Sequence, residues 1–233
     1  MAVITYSYFP ADFPALEVND SIKSVTQLAM PWGDHQAHTT LTFQGSADAE
    51  EFERYRIEHQ LDRDIDAIWN QQHIHRVIEV KEFHAYYYRE KHYALVDTKK
   101  VDARSAMSRL NDGVRDIKVG KLPDIPLAAM EKIQGGVTAG GYFGKLKIAK
   151  VKSAALFGEE VSESADWQRY EEAGELSALF MRAITPEDLE RTLLLTHARI
   201  IVLYTNEGEA KNLRFVARLQ EEIDNTLREL DSE

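Results

Sequence analysis

Apolar and polar positions alternate along much of this chain, and a period of two predicts β-strands. Residues 2–9 and 38–44 follow this pattern, and residues 76–98 extend it in a stretch rich in Val, Ile, Phe and Tyr. The charged residues 89–91 interrupt the long stretch, and a chain reversal there would place its two parts side by side. The sequence therefore predicts a β-hairpin over 76–98 that turns at 89–91.

Residues 46–72 carry a second kind of pattern, in which apolar side chains recur every three or four positions from Ile57 to Ile68. This spacing is typical of one face of an α-helix. Asp48 and Glu51 precede the apolar positions and match the capping box that often begins a helix. The sequence therefore predicts a long helix over 46–72.

Four further helices are predicted from end signals and apolar spacing. Residues 103–111 follow Asp102, which is a suitable N-cap, and residues 126–134 begin with a proline and end before a glycine. Residues 184–195 predict a short helix. The chain closes on a long amphipathic helix from about Glu209.

Three more segments, 145–157, 175–184 and 198–205, are rich in apolar and β-branched residues and predict strands. We expect the first two to pair with each other. The glycine-rich residues 135–144 lie between a predicted helix and a predicted strand, and they match neither a Walker loop nor a dinucleotide-binding motif. They predict a turn or hinge.

Strands outnumber helices in this interpretation, and they follow one another as hairpins rather than in strict alternation with helices. The predicted fold class is therefore α+β, with a mixed or mainly antiparallel sheet of hairpins and a long C-terminal helix. We predict one domain over 1–233, with a subdivision near 113–144 left open.

Composition narrows the class of protein. The chain has 233 residues and no cysteine, which excludes disulfides, thiolate metal sites and a cysteine nucleophile and suits a reducing compartment. The N-terminal residues lack the pattern of a secretory signal, and no apolar run approaches the roughly 20 residues of a membrane span. We expect a cytoplasmic protein without membrane contact.

Charge is distributed unevenly along the sequence, and the net charge of -11 conceals the pattern. Residues 1–80 carry 5 Lys and Arg against 13 Asp and Glu, and residues 153–233 carry 8 against 18. Residues 81–152 carry 15 against 8, so the middle of the chain is basic while both ends are acidic. Such asymmetry suggests an anionic partner for the basic part.

Two interpretations of the basic middle remain open. Its cations either contact an anionic partner, with nucleic acid the leading candidate, or pair with carboxylates of the same molecule. In the first case, tyrosines 86–88 would add base stacking to single strands, although alternate strand residues must face inwards. The predicted nucleic-acid-binding residues are Lys99, Lys100, Arg104, Arg109, Lys145, Lys147, Lys150 and Lys152.

Asp97 and Lys99 follow an apolar strand and precede a predicted helix, an arrangement that resembles the signature of the PD-(D/E)xK nuclease superfamily. The resemblance implies a carboxylate pair that holds Mg²⁺, with a lysine that stabilises charge near the attacked phosphate. Glu79 or Glu82 would supply the second carboxylate, where the superfamily usually has an aspartate. Asp97, Lys99, Glu79 and Glu82 are therefore the candidate catalytic residues of a nuclease alternative.

The sequence favours a binding or accessory protein that engages an anionic partner, with nucleic acid the leading candidate, through residues 81–152. The first alternative is the Mg²⁺-dependent nuclease. The second is a structural subunit of a complex that docks through its acidic flanks. Whether the chain is an enzyme is left open; a protein partner or a second copy is expected, and no cofactor or metal is expected outside the nuclease alternative.

Overall fold

The computed structural model describes residues 3–30, 33–121, 124–130, 133, 136–184, 190–230 and 232. The chain divides into two compact units. We call Ser7–Lys121 the N-terminal unit, and Met1–Tyr6 with Leu122–Glu233 the C-terminal unit. The prediction of one domain stays a prediction, because compactness does not test whether either unit folds alone.

The N-terminal unit is an antiparallel sheet with one helix. Its strands lie in the order β2-β3-β4-β5-β6-β1, and β7 pairs with β1. The strand β1 begins in the C-terminal unit and continues into this one. The elements are β1 (Ile4–Asp12), β2 (Ser21–Met30), β3 (Gly33–Ser46), β4 (Glu53–Trp69), β5 (Gln72–Tyr88), β6 (Tyr93–Val96), α1 (Lys100–Gly113) and β7 (Lys118–Val119).

The predicted helix over 46–72 is wrong, because most of this segment forms β4. Tyr55, Ile57 and His59 are fully buried while the residues between them are at least partly exposed, so the period is two. Pairing with β3 on one side and β5 on the other satisfies the backbone and overrides the helical spacing. The proposed capping box lies in the turn before β4.

The predicted hairpin over 76–98 is confirmed, since β5 and β6 are joined by a 3-10 turn at Arg89–Lys91. The helix after it is also confirmed as α1. Asp102 is not its cap, however, because the N-cap position is Lys99, which makes no side-chain cap hydrogen bond. Asp102 lies in the first turn, where its carboxylate binds Lys81.

The hairpin of β4 and β5 extends beyond the rest of the sheet. The register between β3 and β4 ends at Thr39 and His59, whereas β4 and β5 stay paired as far as Trp69 and Gln72. Within the described part of the chain, residues 61–69 therefore pair with β5 alone. We call residues 61–69 and 72–79 the β4–β5 ribbon.

The C-terminal unit is built of antiparallel strands and, among its described residues, three α-helices. Its strands lie in the order β1-β12-β11-β10-β8-β9, and the registers of β8 to β12 are antiparallel. The elements after β7 are α2 (Leu127–Met130), β8 (Gly136–Gly144), β9 (Ala154–Phe157), α3 (Ala165–Ala173), β10 (Glu175–Ile184), β11 (Glu190–Thr196), β12 (Ile200–Leu203) and α4 (Glu209–Leu230).

The glycine-rich segment 135–144 is not a turn or hinge, because its described residues form β8. Two of its glycines give room to aromatic rings on opposite faces of the sheet. A Cβ on Gly140 would lie 2.3 Å from the Phe157 ring, and a Cβ on Gly141 would lie 2.6 Å from the Trp167 ring. Glycine is therefore required here for close packing rather than for chain reversal.

Three strand and helix predictions need correction in this unit. Only Ala154–Phe157 of the predicted strand 145–157 forms a strand, and it pairs with β8 rather than with β10. Residues 185–189 of the helix predicted over 184–195 lie outside the described residues, and Glu190–Thr196 is a strand. The helix α3 was not predicted, although the Ser164 hydroxyl accepts a hydrogen bond from Trp167 N at its start.

The predicted fold class is confirmed as α+β, with a mainly antiparallel arrangement of hairpins and the long C-terminal helix α4. The strand predicted at 198–205 is confirmed as β12. In α4, Leu213, Val216 and Ile223 are fully buried, as an amphipathic helix requires. None of the described helices has both the length and the apolar character needed to span a bilayer.

Candidate nucleic-acid interface

The eight predicted nucleic-acid-binding residues are divided equally between the two units. Four belong to α1 and the position before it, and four belong to the connection between β8 and β9. They are Lys99, Lys100, Arg104 and Arg109 in the N-terminal unit, and Lys145, Lys147, Lys150 and Lys152 in the C-terminal unit.

The cations of α1 have different environments. Lys99 and Arg104 are exposed, and neither forms an ion pair with a described residue, whereas Lys100 is half-buried. Lys99 lies at the positive end of the helix dipole, so it raises the potential there instead of stabilising the helix. Arg109 is half-buried; its Nη1 donates to Gln60 O at 2.7 Å, and burial lowers its pKa. Arg109 is thus a packing residue, whereas Lys99 and Arg104 are available to a partner.

A network of charged side chains lies under the first turn of α1. The Asp102 carboxylate is 4% exposed and accepts hydrogen bonds from Lys81 Nζ at 2.6 Å and from Arg63 Nη2 at 3.4 Å. Arg63 Nε also donates to Glu79 Oε2 at 2.7 Å. Glu79, one of the candidate catalytic residues, is therefore held by a cation within this network.

Asp97 lies elsewhere, at the end of β6. Its Oδ1 accepts a hydrogen bond from His84 N at 2.6 Å, and its Oδ2 lies 3.4 Å from His84 Nδ1. Glu79 is five residues along β5 from His84, about 17 Å at the rise of an extended strand, and it points to the opposite face. Glu82 is exposed on the face that carries His84. The structure thus brings Asp97 to His84 and not to Glu79.

The nuclease alternative stays a prediction on this geometry. Among the described side chains, no group of three or more His, Asp or Glu is placed to hold a metal ion. The Asp97 carboxylate accepts a hydrogen bond from the backbone of His84 and lies beside its side chain. Such contacts are common for a charged residue at the end of a strand.

A buried histidine under α1 was missed by sequence reasoning. His59 Nε2 lies 3.0 Å from Ser105 Oγ, and His59 Nδ1 lies 2.7 Å from Thr39 Oγ1. A serine, a base and an orienting group at such distances match the pattern of an activated nucleophile. Burial and the nearby Arg109 charge lower the pKa of His59 to about 4. The imidazolium that such catalysis must form is therefore disfavoured, and the arrangement supports a structural hydrogen-bond relay.

The connection between β8 and β9 is a compact loop, which we call the lysine loop (residues 145–152). Leu146 N donates to Lys152 O at 3.2 Å, an isolated bridge joins Ile148 to Val151, and the Leu146 side chain is buried. These contacts close the loop at its base and turn its polar side chains outwards. Its four lysines, Lys145, Lys147, Lys150 and Lys152, are all exposed.

The lysines of this loop differ in how they are paired. Lys145 Nζ binds Glu175 Oε2 at 2.8 Å, and that hydrogen bond raises the pKa of Lys145. Lys147, Lys150 and Lys152 form no ion pair with any residue that the structure describes. The backbone N–H of Lys147 donates to the backbone carbonyl at the end of α3, which fixes the loop without using a lysine ammonium group. Three positive charges therefore remain available.

A row of aromatic rings crosses one face of the same sheet, and we call it the aromatic face (Tyr142, Phe157, Phe180 and Tyr204). Neighbouring ring centroids are 5.4, 5.7 and 5.5 Å apart along this row. Strand register explains the grouping, because Gly140 pairs with Phe157 on β9 and with Phe180 on β10. Phe157 is 54% exposed and Tyr142 is 39% exposed.

The opposite face of that sheet is covered. Phe143, the neighbour of Tyr142, is buried against Trp167 of α3, with the two ring centroids 4.9 Å apart. Leu179 and Met181, which flank Phe180, are also buried. The aromatic face therefore lies on the side of the sheet opposite the core, and two of its four rings are exposed.

Of the three tyrosines that the sequence suggested for base stacking, Tyr88 is half-buried and the other two are buried. Tyr86 and Tyr87 retain 4% and 1% of their accessible surface, so they belong to the core of the N-terminal unit. The members of the aromatic face come from four separate segments of the chain, and no local pattern marks them as a set. The pairing of β8 with β9 and β10 brings the first three together, and the pairing of β11 with β10 and β12 adds Tyr204.

Comparison with known proteins does not assign a function to this arrangement. The sequence matches no protein-family model and no curated protein. A function must therefore be inferred from the exposed cations, the aromatic face and the ways in which the other charged groups are already satisfied.

Proposed function

We propose that this protein is a binding or accessory protein that engages an anionic partner through exposed cations of residues 81–152, with nucleic acid as the leading partner. The observation that carries the proposal is the lysine loop, where Lys147, Lys150 and Lys152 are exposed without carboxylate partners among the described residues. Phosphates that contact such side chains release condensed counterions, and this release drives association.

The exposed cations of α1 support the same proposal. Lys99 and Arg104 add positive charge at the end of α1 where the helix dipole is already positive. An internal structural role would favour lysines at the other end of the helix, so their position is better suited to an external anion. We infer that they form a second contact region. The absence of cysteine suits the reducing cytoplasm, where we propose that the protein works.

Several other cations of the basic middle are used within the molecule and are not part of the proposal. Lys81 binds Asp102, Arg89 binds Glu53, and Arg109 donates to a backbone carbonyl. The interpretation that central cations pair internally therefore applies to these residues. The exposed cations of the lysine loop and of α1 then remain for a partner.

The proposal predicts salt-dependent binding of nucleic acid. Fluorescence anisotropy with labelled DNA and RNA oligonucleotides should detect binding at 50 mM salt and a large loss of affinity at 200 mM. Replacing Lys147, Lys150 and Lys152 together by alanine should weaken binding. The slope of log K against log salt should fall by about 0.7 to 0.9 for each phosphate that the variant no longer neutralises.

The matched control replaces Lys23, an exposed lysine of β2 outside the basic middle, by alanine. This change should leave both affinity and salt slope as in the wild type. Undetectable binding at 50 mM salt would overturn the proposal. So would a triple variant with the wild-type affinity and slope.

A further inference from the structure

We propose that the partner is single-stranded nucleic acid, with bases stacked on the aromatic face and phosphates bound by the lysine loop. This inference rests on the function proposed above and adds the form of the ligand. Proteins that bind single strands without reading sequence combine a positive surface for the backbone with aromatic rings for the bases. The C-terminal unit carries both features on adjoining segments.

The lysine loop and the exposed rings adjoin each other in the chain. The loop begins three residues after Tyr142 and ends five residues before Phe157. At the rise of an extended strand, Tyr142 lies about 7 Å from Gly144, where the loop leaves β8. Both ends of the loop therefore lead directly into the strands that carry the two most exposed rings of the aromatic face.

The Phe157 ring is held in place before any ligand arrives. It lies against Gly140, where any larger residue would place a Cβ 2.3 Å from its Cδ1 atom. Edge-to-face contacts with Tyr142 and Phe180 fix it from two further sides, with interplanar angles of 81° and 82°. A ring that is already ordered loses little side-chain entropy on binding, so this geometry suits a stacking platform.

Exposed lysines next to exposed aromatic rings favour single strands over duplexes. Base faces are covered by neighbouring bases in a duplex, so a duplex can use the lysines but not the rings. A single strand can expose its bases and use both. Stacking is tolerant of sequence because every base has a π-face, so no strong sequence preference is expected.

The experiment compares a fluorescein-labelled dT 12-mer and rU 12-mer with a DNA duplex of the same length. Phe157→Ala and Tyr142→Ala should each weaken single-strand binding roughly 5- to 150-fold, which is the range for loss of one stacked base. The salt slope should stay unchanged because neither variant removes a phosphate contact. Duplex binding should be unaffected. The comparison of the dT 12-mer with the rU 12-mer shows which of these two single strands the protein binds more tightly.

The control is Val137→Ala, which trims an aliphatic side chain of β8 that is 50% exposed. It should retain wild-type affinity. Phe157→Trp keeps an aromatic ring and should bind within about threefold of the wild type, and it keeps the test valid if Phe157→Ala does not fold. A 2-aminopurine placed in the single strand should be quenched by the wild-type protein and less by the alanine variants.

Three outcomes would overturn the inference. Equal affinity for single strand and duplex, with no effect of Phe157→Ala, would leave the lysine-based function standing and remove only the stacking. An effect of the ring variants on sedimentation coefficient, without an effect on oligonucleotide affinity, would assign the aromatic face to self-association. No binding of any oligonucleotide at low salt would remove the proposed function and this inference together.

Discussion

Asp102 is a buried carboxylate whose two cationic neighbours, Lys81 and Arg63, are themselves partly exposed. Its desolvation is offset by charge-assisted hydrogen bonds, which are stronger than neutral ones. Removing the carboxylate charge would leave both cations facing a neutral side chain, with Glu79 as the remaining acid of the network. One atom-for-atom change at this residue therefore tests how much the network stabilises the fold.

We predict that Asp102→Asn lowers the free energy of unfolding by about 1.5 to 3 kcal/mol, the range for hydrogen bonds to charged groups. Urea denaturation measures this value. Asp64→Asn is the matched control, because the Asp64 side chain is 94% exposed and lies 3.8 Å from Arg76. The control should change stability by less than about 0.5 kcal/mol, as expected for an exposed pair. Equal effects of the two variants would contradict a stabilising role for the network.

At the scale of the element, the end of α1 packs closely against the Ser24 side chain of the edge strand β2. Ser24 Oγ donates to Arg109 O at 2.7 Å, and a Cβ on Gly113 would lie 2.0 Å from the Ser24 Oγ atom. Glycine is thus required at the end of α1 because the strand passes so near. A larger residue would push the helix end away from β2.

We predict that Gly113→Ala lowers the free energy of unfolding by about 1 to 3 kcal/mol, the usual cost of overpacking. Thermal and urea unfolding check this expectation. Gly144→Ala serves as the control, since a Cβ there would meet nothing within 4 Å, and it should be near neutral. Combining Gly113→Ala with Ser24→Ala should recover part of the loss. A Gly113→Ala variant as stable as the wild type would show that the strand moves aside freely.

The elements that could be predicted from sequence are those whose local pattern of apolar and polar residues favours the same secondary structure as their packing in the fold. The hairpin of β5 and β6 has a charged turn between apolar runs, and α4 has a long apolar stripe, so both were found. The segment that forms β4 has helical spacing as well as alternation, and only its neighbours in the sheet decide between them. β8 was missed because its glycines serve ring packing by residues distant in sequence.

At the scale of the whole molecule, resistance to acid should depend in part on His59. This residue is fully buried, and burial lowers its pKa from 6.5 to about 4. Well above pH 6.5 the side chain is neutral in both the folded and unfolded states and contributes no pH dependence. As pH falls from 6.5 towards 4, the unfolded chain binds a proton that the folded chain does not, so stability decreases.

We predict that this single group lowers the free energy of unfolding by about 3 kcal/mol between pH 6.5 and pH 4. Denaturation curves of wild type and His59→Gln across this range isolate the effect, because other titrating groups are common to both proteins. The difference between the two should shrink as pH falls. A difference that stays constant over the range would show that His59 is protonated at its ordinary pKa.

The candidate interface was only partly predictable from the sequence. As with β4, part of it depends on strand neighbours that are distant in the chain. The lysine loop could be found from sequence because its cations lie within eight residues. The aromatic face could not, because Tyr142, Phe157, Phe180 and Tyr204 become neighbours only through strand register. Arg109, a predicted ligand contact, donates to the Gln60 carbonyl where β3 leaves β4, and that contact could not be read from the sequence either.

The β4–β5 ribbon has backbone donors and acceptors along β4 that no described strand uses beyond Gln60. Such an edge is a template on which another molecule's strand can assemble. Asp62, Asp64 and Asp66 recur at alternate positions there, and an approaching copy would bring the same acidic row against them. We expect these charges to disfavour the addition of a strand at this edge, so that neutralising them would favour assembly of copies edge to edge.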